Sequence, residues 1–230
     1  MPAPEIRWWG LAVGLLMGGV RPVAAQQVAA AQPAPTRQLA LKIGLSPLLA
    51  KGYHVSLEKA FGSSLQHSAD LTPQLYLGRV SSYTSEQSEG GRDYVRGFGL
   101  DFQYRYYVPS SVGPLAGVYV AAGPHVQRFR IDFRARGWQQ VAAANDLLYY
   151  DYVLQDQTER ITRIGASAII GNQFFITGTP VFLDVSFGMG WRRAAVRTSA
   201  PPASRYASSP NDYGHSGFYV PLNVKTGMVF

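Results

Sequence analysis

No cysteine occurs in the 230 residues. That removes thiol catalysis, thiolate metal sites, disulfide staples and the acylated cysteine of a lipoprotein anchor together. Charge is scarce too: 15% of the residues are Asp, Glu, Lys or Arg, against roughly a quarter in a soluble domain. No apolar run reaches the roughly 18 residues a spanning helix needs, so any membrane residence must come from strands. Histidine is limited to His54, His67, His125 and His215, and no spacing among them marks a metal site. Neither a metal nor another cofactor is expected.

What is present is alternation. Phe218, Val220, Leu222, Val224, Thr226, Met228 and Phe230 share one parity, and Tyr219, Pro221, Asn223, Lys225, Gly227 and Val229 the other. A period of two over so long a stretch means a strand with one greasy face and one mixed, polar face. Outer-membrane barrels close through such a strand, lipid-facing outside and polar within. The terminal Phe230 resembles the aromatic insertion signal by which bacterial barrel proteins reach the barrel-insertion machinery.

The other end reads differently. Arg7, an apolar core over 10–20 and the small residues Val23, Ala24 and Ala25 form the pattern of a secretory signal cut near Ala25. Its removal takes away Glu5, Arg7 and Arg21 and lowers the formal charge from +7 to +6. Residues 26–38 read as a flexible periplasmic linker rich in Ala, Gln and Pro, and residues 39–230 as the barrel. Seven alternating runs precede the last: one from Leu39, one from Tyr53, one over 71–77, one over 97–107, then about 117–131, about 162–175 and 181–191. Eight is an even count, as a single-chain bacterial barrel needs. Pro124 is expected to force a bulge in the fifth run, while Ile169 and Asn172 leave the parity of the sixth open.

Connection lengths alternate as well. Those at about 61–69, 109–116 and 176–180 are short; those at 80–96, 132–161 and 192–216 are long; the first outer one, at 48–52, is short. Short periplasmic turns and long outer loops are the outer-membrane pattern. The expectation is therefore an all-β, eight-stranded antiparallel up-and-down transmembrane β-barrel with long extracellular loops, in the outer membrane. Tyr53, Phe98, Trp191 and Phe218 would form an upper girdle of rings, and Tyr106, Phe182 and Phe230 a lower one.

Six charges fall on the inward parity: Lys42, Glu58, Asp101, Arg105, Asp184 and Lys225. A first hairpin centred on residue 50 would set Lys42 across from Glu58, and a last one centred near 204 and 205 would set Asp184 across from Lys225. Asp101 and Arg105 share a strand face. Paired charges satisfy one another in a narrow barrel where lone ones would be strongly unfavourable, so the reading is a plugged, salt-bridged interior; a small ion path is the alternative. His54, Ser56 and Glu58 also share one strand face, the arrangement a nucleophile and its base would want. This resembles the His-x-Ser element of outer-membrane lipid A deacylases. Those enzymes present their site to lipid, however, and here that parity belongs to Tyr53, Val55 and Leu57.

Thirteen arginines fall at outer strand ends or in long loops: Arg79, Arg92, Arg96, Arg128, Arg130, Arg134, Arg136, Arg160, Arg163, Arg192, Arg193, Arg197 and Arg205. The periplasmic connections contain no Lys or Arg. Guanidinium groups bind phosphate bidentately, and the outer leaflet carries phosphorylated lipid A. The collar is read as a lipopolysaccharide clamp, chiefly through Arg79, Arg96, Arg128, Arg130, Arg134, Arg163, Arg192 and Arg193. Loop solubility is the plainer reading, and no motif points to nucleic acid. The stretch 147–153 (LLYYDYV) is either a strand extension or a surface for a partner.

The opening Leu41-Lys42-Ile43-Gly44-Leu45-Ser46-Pro47, then Ser56-Leu57-Glu58-Lys59-Ala60, Asp101-Phe102-Gln103-Tyr104-Arg105-Tyr106-Tyr107, Gly117-Val118-Tyr119-Val120 and Phe230 together resemble the small outer-membrane β-barrels common in Bacteroidota. The resemblance implies an eight-stranded OmpA- or OmpX-like barrel with no established activity; a monomer touching outer-membrane lipid and lipopolysaccharide is expected. It leads to a non-enzymatic barrel serving envelope integrity or surface contact. The alternatives are a lipid-modifying hydrolase using His54 and Ser56, a narrow small-solute channel, and a soluble periplasmic ligand-binding barrel. The last would bury the Leu/Phe/Val parity inside.

Overall fold

A computed structural model describes residues 37–80, 93–109, 113–142, 148–199, 205–207 and 212–230. The expected signal 1–25, nearly all of the linker, and Arg92 lie outside the described residues. The strands are β1 (Leu39–Gly44), β2 (Gly52–Phe61), β3 (His67–Arg79), β4 (Tyr94–Tyr107), β5 (Gly117–Ala142), β6 (Leu148–Phe175), β7 (Val181–Thr198), β8 (Gly217–Tyr219) and β9 (Leu222–Val229). One short 3-10 turn, Ser46–Ala50, joins β1 to β2.

Consecutive strands pair antiparallel from β1 through β7. β7 then pairs with both β8 and β9, and β9 returns to pair with β1, Leu41 against Met228. The ring of hydrogen bonds is closed. β8 and β9 lie in a single register along β7, since Trp191 faces Phe218 and Asp184 faces Lys225. Together they are the eighth strand, broken only where Pro221 has no N–H to give; Gly188 still donates to the Pro221 carbonyl at 3.1 Å. The molecule is an eight-stranded antiparallel up-and-down barrel.

The side chains sort by parity. Leu41, Ile43, Leu57, Leu71, Leu75, Leu100, Phe102 and Leu222 point outward and stand exposed, while Lys42, Glu58, Asp70 and Arg105 on the opposite parity are completely buried. Water as the surrounding solvent would demand the reverse. An eight-stranded barrel is just wide enough for side chains to fill, so its polar set packs within and its apolar set meets hydrocarbon. This is the transmembrane arrangement.

Several finer expectations need correction. Pro124 causes no bulge: Asp101 pairs with His125 and Tyr104 with Ala122 in the same register. The ladder merely lapses beside the proline. Gly123 explains why the chains stay close there, because a Cβ on it would sit 1.8 Å from the Phe102 carbonyl oxygen. In β6 the even positions face out, with Ile170 exposed and Ile169 buried. Phe182 belongs to the buried base with Tyr107, Leu115 and Tyr119, not to the lower girdle.

The largest correction concerns 132–161, expected as a loop. β5 and β6 run on as one ribbon, paired from Asp132 and Thr158 to Ala142 and Leu148; β7 likewise continues through Thr198. Alternation persists there, but its sense reverses. Below, the outward residues are apolar: Leu77, Phe98, Val126, Ile164 and Trp191. Above, the inward residues are apolar, with Val95, Phe129, Ile131, Phe133 and Ile161 forming a second buried cluster beside Tyr76, Tyr206 and Tyr213. The outward positions turn to arginine: Arg79, Arg96, Arg128, Arg130, Arg134, Arg160 and Arg193 are exposed. A wall that is greasy outside in one zone and greasy inside in the next passes from hydrocarbon into water.

Candidate functional site

The lower lumen is filled by ions drawn from the strand walls. Lys42 Nζ on β1 lies 2.5 Å from Glu58 on β2 and 2.8 Å from Asp184 on β7. Arg105 on β4 reaches Asp70 on β3 at 2.5 Å, Asp184 at 2.9 Å and Glu58 at 3.5 Å. Lys225 on β9 approaches Asp70 at 3.3 Å and donates to Ser56 at 2.9 Å. The remaining carboxylate oxygens take hydroxyls: Ser68 and Tyr107 donate to Glu58, Thr72 to Asp70, and Tyr119 on β5 to Asp184 at 2.6 Å. Gln173 on β6 accepts from Lys42. All eight strands contribute to this cluster, and its three cations balance its three carboxylates.

The pairings differ from those expected. β1 and β2 are offset by two residues, so Lys42 faces Ser56 rather than Glu58, and the ion pair runs diagonally. Asp184 and Lys225 are Cα partners, yet their side chains lean apart to Lys42, Arg105 and Asp70. Asp101 makes no ion pair among the described residues; Asp70 holds the third anionic place. The signal was legible, since Ser68 and Asp70 continue the inward parity of Thr72, Gln74 and Tyr76.

Above the cluster sits a polar cavity of about 130 Å³ lined by His54, Asp101, His125, Arg163, Arg192 and Lys225 among others. Arg163 and Arg192, expected at the outer surface as phosphate contacts, turn into the barrel instead. Both lie on the inward parity. Arg163 donates to Gln127 at 2.6 Å and to the Tyr213 carbonyl at 3.5 Å, stacked on Phe129. Arg192 lies over the Tyr219 ring and donates to the His215 carbonyl at 3.3 Å. The two arginines thus hold residues 212–216 over the mouth, where Tyr213 also donates to the Ala50 carbonyl at 3.1 Å.

His54 Nε2 bonds the Tyr76 hydroxyl at 3.0 Å, and Ser56 Oγ lies 2.7 Å from Thr72 Oγ1. No hydrogen bond joins His54 to Ser56 among the described residues, and Glu58 faces Lys42 and Arg105.

Outside, a row of arginines crosses four neighbouring strands. Arg96 on β4 pairs with Arg130 on β5, Arg130 with Arg160 on β6, and Arg160 with Arg197 on β7. All four face outward. Among the described residues the row's ion pair is Arg130 with Asp132 at 3.0 Å; Arg134 pairs with Asp156 at 2.6 Å higher up. Burial works to raise the Asp132 carboxyl, but hydrogen bonds from Thr158 and Arg130 outweigh it and hold the group below its usual range. The stretch 148–153 proves to be strand, so Tyr150 and Tyr152 stand on the exposed ribbon, where Trp138 packs on Tyr152 at 5.0 Å.

Among solved structures the chain is similar to CarO of Acinetobacter baumannii (10% identical, TM-score 0.39) and to a major outer membrane protein of Thermus thermophilus (13%, 0.45). CarO2 of Acinetobacter baumannii is a third (10%, 0.37). Each match covers 84% of this chain and 98% of the other. No protein-family model and no curated protein matches the chain. The barrel assignment rests on the closed strand ring itself.

Proposed function

We propose that the chain is a non-enzymatic outer-membrane barrel of the small OmpA- or OmpX-like kind, serving envelope integrity through a grip on lipopolysaccharide phosphates. The observation that carries this is the outward row Arg96, Arg130, Arg160 and Arg197 on four adjacent strands. Strands lie about 4.8 Å apart, so four guanidinium groups crowd into roughly 15 Å of wall. Like charges side by side across strands are destabilising, and Asp132 answers only part of the row. Bridging phosphates would relieve the repulsion, each taking a bidentate pair of N–H bonds. The row starts at Arg96, the next outward residue beyond Phe98, and climbs to Arg197, six residues beyond Trp191, so its lower end lies where the apolar wall gives way and lipid headgroups would meet it. Phe230, outward and exposed, would serve as the insertion signal.

The test is the lipid that co-purifies with the barrel from outer membranes. Glutamine at Arg96, Arg130, Arg160 and Arg197 together should strip most lipopolysaccharide while leaving heat-modifiable gel mobility intact. A folded quadruple variant that keeps as much lipopolysaccharide as the parent overturns the reading. The engaged Ser56 and His54 support the non-enzymatic part, so lipid A incubated with the barrel should stay intact. Hydrolysis that Ser56→Ala abolishes would refute that part.

A further inference from the structure

The ribbon of β5 and β6 carries an aromatic face that takes no part in closing the barrel. Its outward parity runs on past the arginine row in cross-strand pairs: Arg136 against Leu154, Trp138 against Tyr152 and Gln140 against Tyr150. All six side chains are exposed, Trp138 at 69% and Tyr150 at 64%. Trp138 and Tyr152 touch at 5.0 Å with their planes 46° apart, and both keep open surface. Arg134, one row below, is held by Asp156, whereas Arg136 pairs with no carboxylate among the described residues. Exposed clusters of large rings mark contact sites. Height narrows the choice of partner. Trp138 lies twelve residues beyond Val126, and Tyr152 twelve before Ile164. At about 3.4 Å per residue that is about 40 Å of strand past the last apolar outward positions, so hydrocarbon and headgroup phosphates are left behind.

We propose that this face binds the sugar chain of a lipopolysaccharide molecule. Ring faces carry negative charge density, which attracts the positively polarised C–H bonds on the flat side of a sugar. Arg136 and Gln140 flank Trp138 on β5 and offer N–H donors to the hydroxyls and sugar acids between those flat sides. A ligand whose surface alternates C–H faces with polar groups thus meets a ribbon that alternates in the same way. The source of the sugar rests on the lipopolysaccharide reading of the arginine row. Arg130 and Arg160 of that row share the parity and the two strands of the rings, so a lipid held there by its phosphates would send its sugars along this face. Such anchoring makes the second contact intramolecular, and weak stacking then suffices.

The probe is a core oligosaccharide, deacylated and dephosphorylated, added to the full barrel freed of lipopolysaccharide in a detergent without a sugar headgroup. Past the expected signal the tryptophans are Trp138 and Trp191, so in a Trp191→Phe barrel Trp138 alone emits. Its emission should shift saturably with oligosaccharide, and saturation-transfer NMR should show sugar C–H protons in contact with the protein. By that NMR readout Trp138→Ala and Tyr152→Ala should each weaken binding about threefold to tenfold, the range of one aromatic contact, with heat-modifiable mobility unchanged. Tyr149→Ala, on the reverse parity of β6, should leave binding as it was. The glutamine quadruple variant of the arginine row should bind this phosphate-free probe as the parent does, so failure of the row's grip and failure of the ring site are separate results. Absence of saturable binding by the parent overturns the proposal, as do ring variants that bind like the parent or an equal loss from Tyr149→Ala. Sedimentation in which Trp138→Ala turns a dimer into a monomer while sugar binding persists would assign the face to a second copy and overturn it too.

Discussion

Replacing Arg105 by methionine would leave Glu58, Asp70 and Asp184 with two cations among three carboxylates, inside a wall that faces hydrocarbon. Breaking a buried pair in this way costs about 3–5 kcal/mol. Tyr107→Phe removes one hydroxyl donor from Glu58 and should cost about 1 kcal/mol. Urea unfolding in lipid vesicles checks the ratio; equal, small losses would mean that water reaches the cluster. Outside the membrane, Tyr206 donates to Asp93. Burial and then the Asp93 carboxylate push its hydroxyl well above the usual range. The folded state keeps that proton where the unfolded chain releases it, so the tether's contribution is complete below about pH 10 and falls as pH rises beyond it. A Tyr206→Phe variant should lose that component of alkaline destabilisation, read from the difference between two pH-dependent melting series. At this scale the inward charges were legible because parity alone sorts a strand's side chains. Asp70 escapes because the alternating run on its strand is clear only from Leu71 onward. The partners were not legible: long side chains reach diagonally, so Cα register does not name the ion pair.

For strands, alternation predicts identity better than length. Alternation marks the fourth strand over 97–107, within three residues of Tyr94–Tyr107, because over that run each outward position is apolar and each inward one is small or polar. The expected ends of the fifth and sixth runs, near 131 and 162, fall short of β5 and β6 because greasy outward residues give way to arginine there. The backbone pairing does not stop there. Past Asp132 and Thr158 the ribbon has no strand on either side among the described residues, and two-stranded ribbons are marginal alone. Amide exchange should therefore be fastest over 135–142 and 148–155, and slowest where β5 lies between β4 and β6. Replacing 135–155 by a short turn should leave the barrel's urea midpoint unchanged. A large drop would show that the ribbon braces the wall.

The reversal of greasy parity is a property of the whole molecule, since no single strand defines a plane. Leu77 on β3, Phe98 on β4, Val126 on β5, Ile164 on β6 and Trp191 on β7 are the last apolar outward residues before arginine or polar residues take over. They trace an arc across five neighbouring strands, and the apolar cluster inside the upper barrel begins beside it with Tyr76 and Phe129. Two solvents meet along that arc, which marks one boundary of the membrane from side chains alone. Depth should then govern the effect of a charge on the outward face. Leu71 lies mid-wall, paired with Leu57 and Phe102, whereas Tyr150 lies on the ribbon above. Leu71→Arg should destabilise the barrel by about 2–4 kcal/mol, as arginine at a bilayer midplane does, and Tyr150→Arg by close to nothing. Both follow from urea titration in vesicles of fixed lipid. Equal costs at the two positions would put hydrocarbon somewhere other than below that level, and the proposed lipid contact of the arginine row would lose its support.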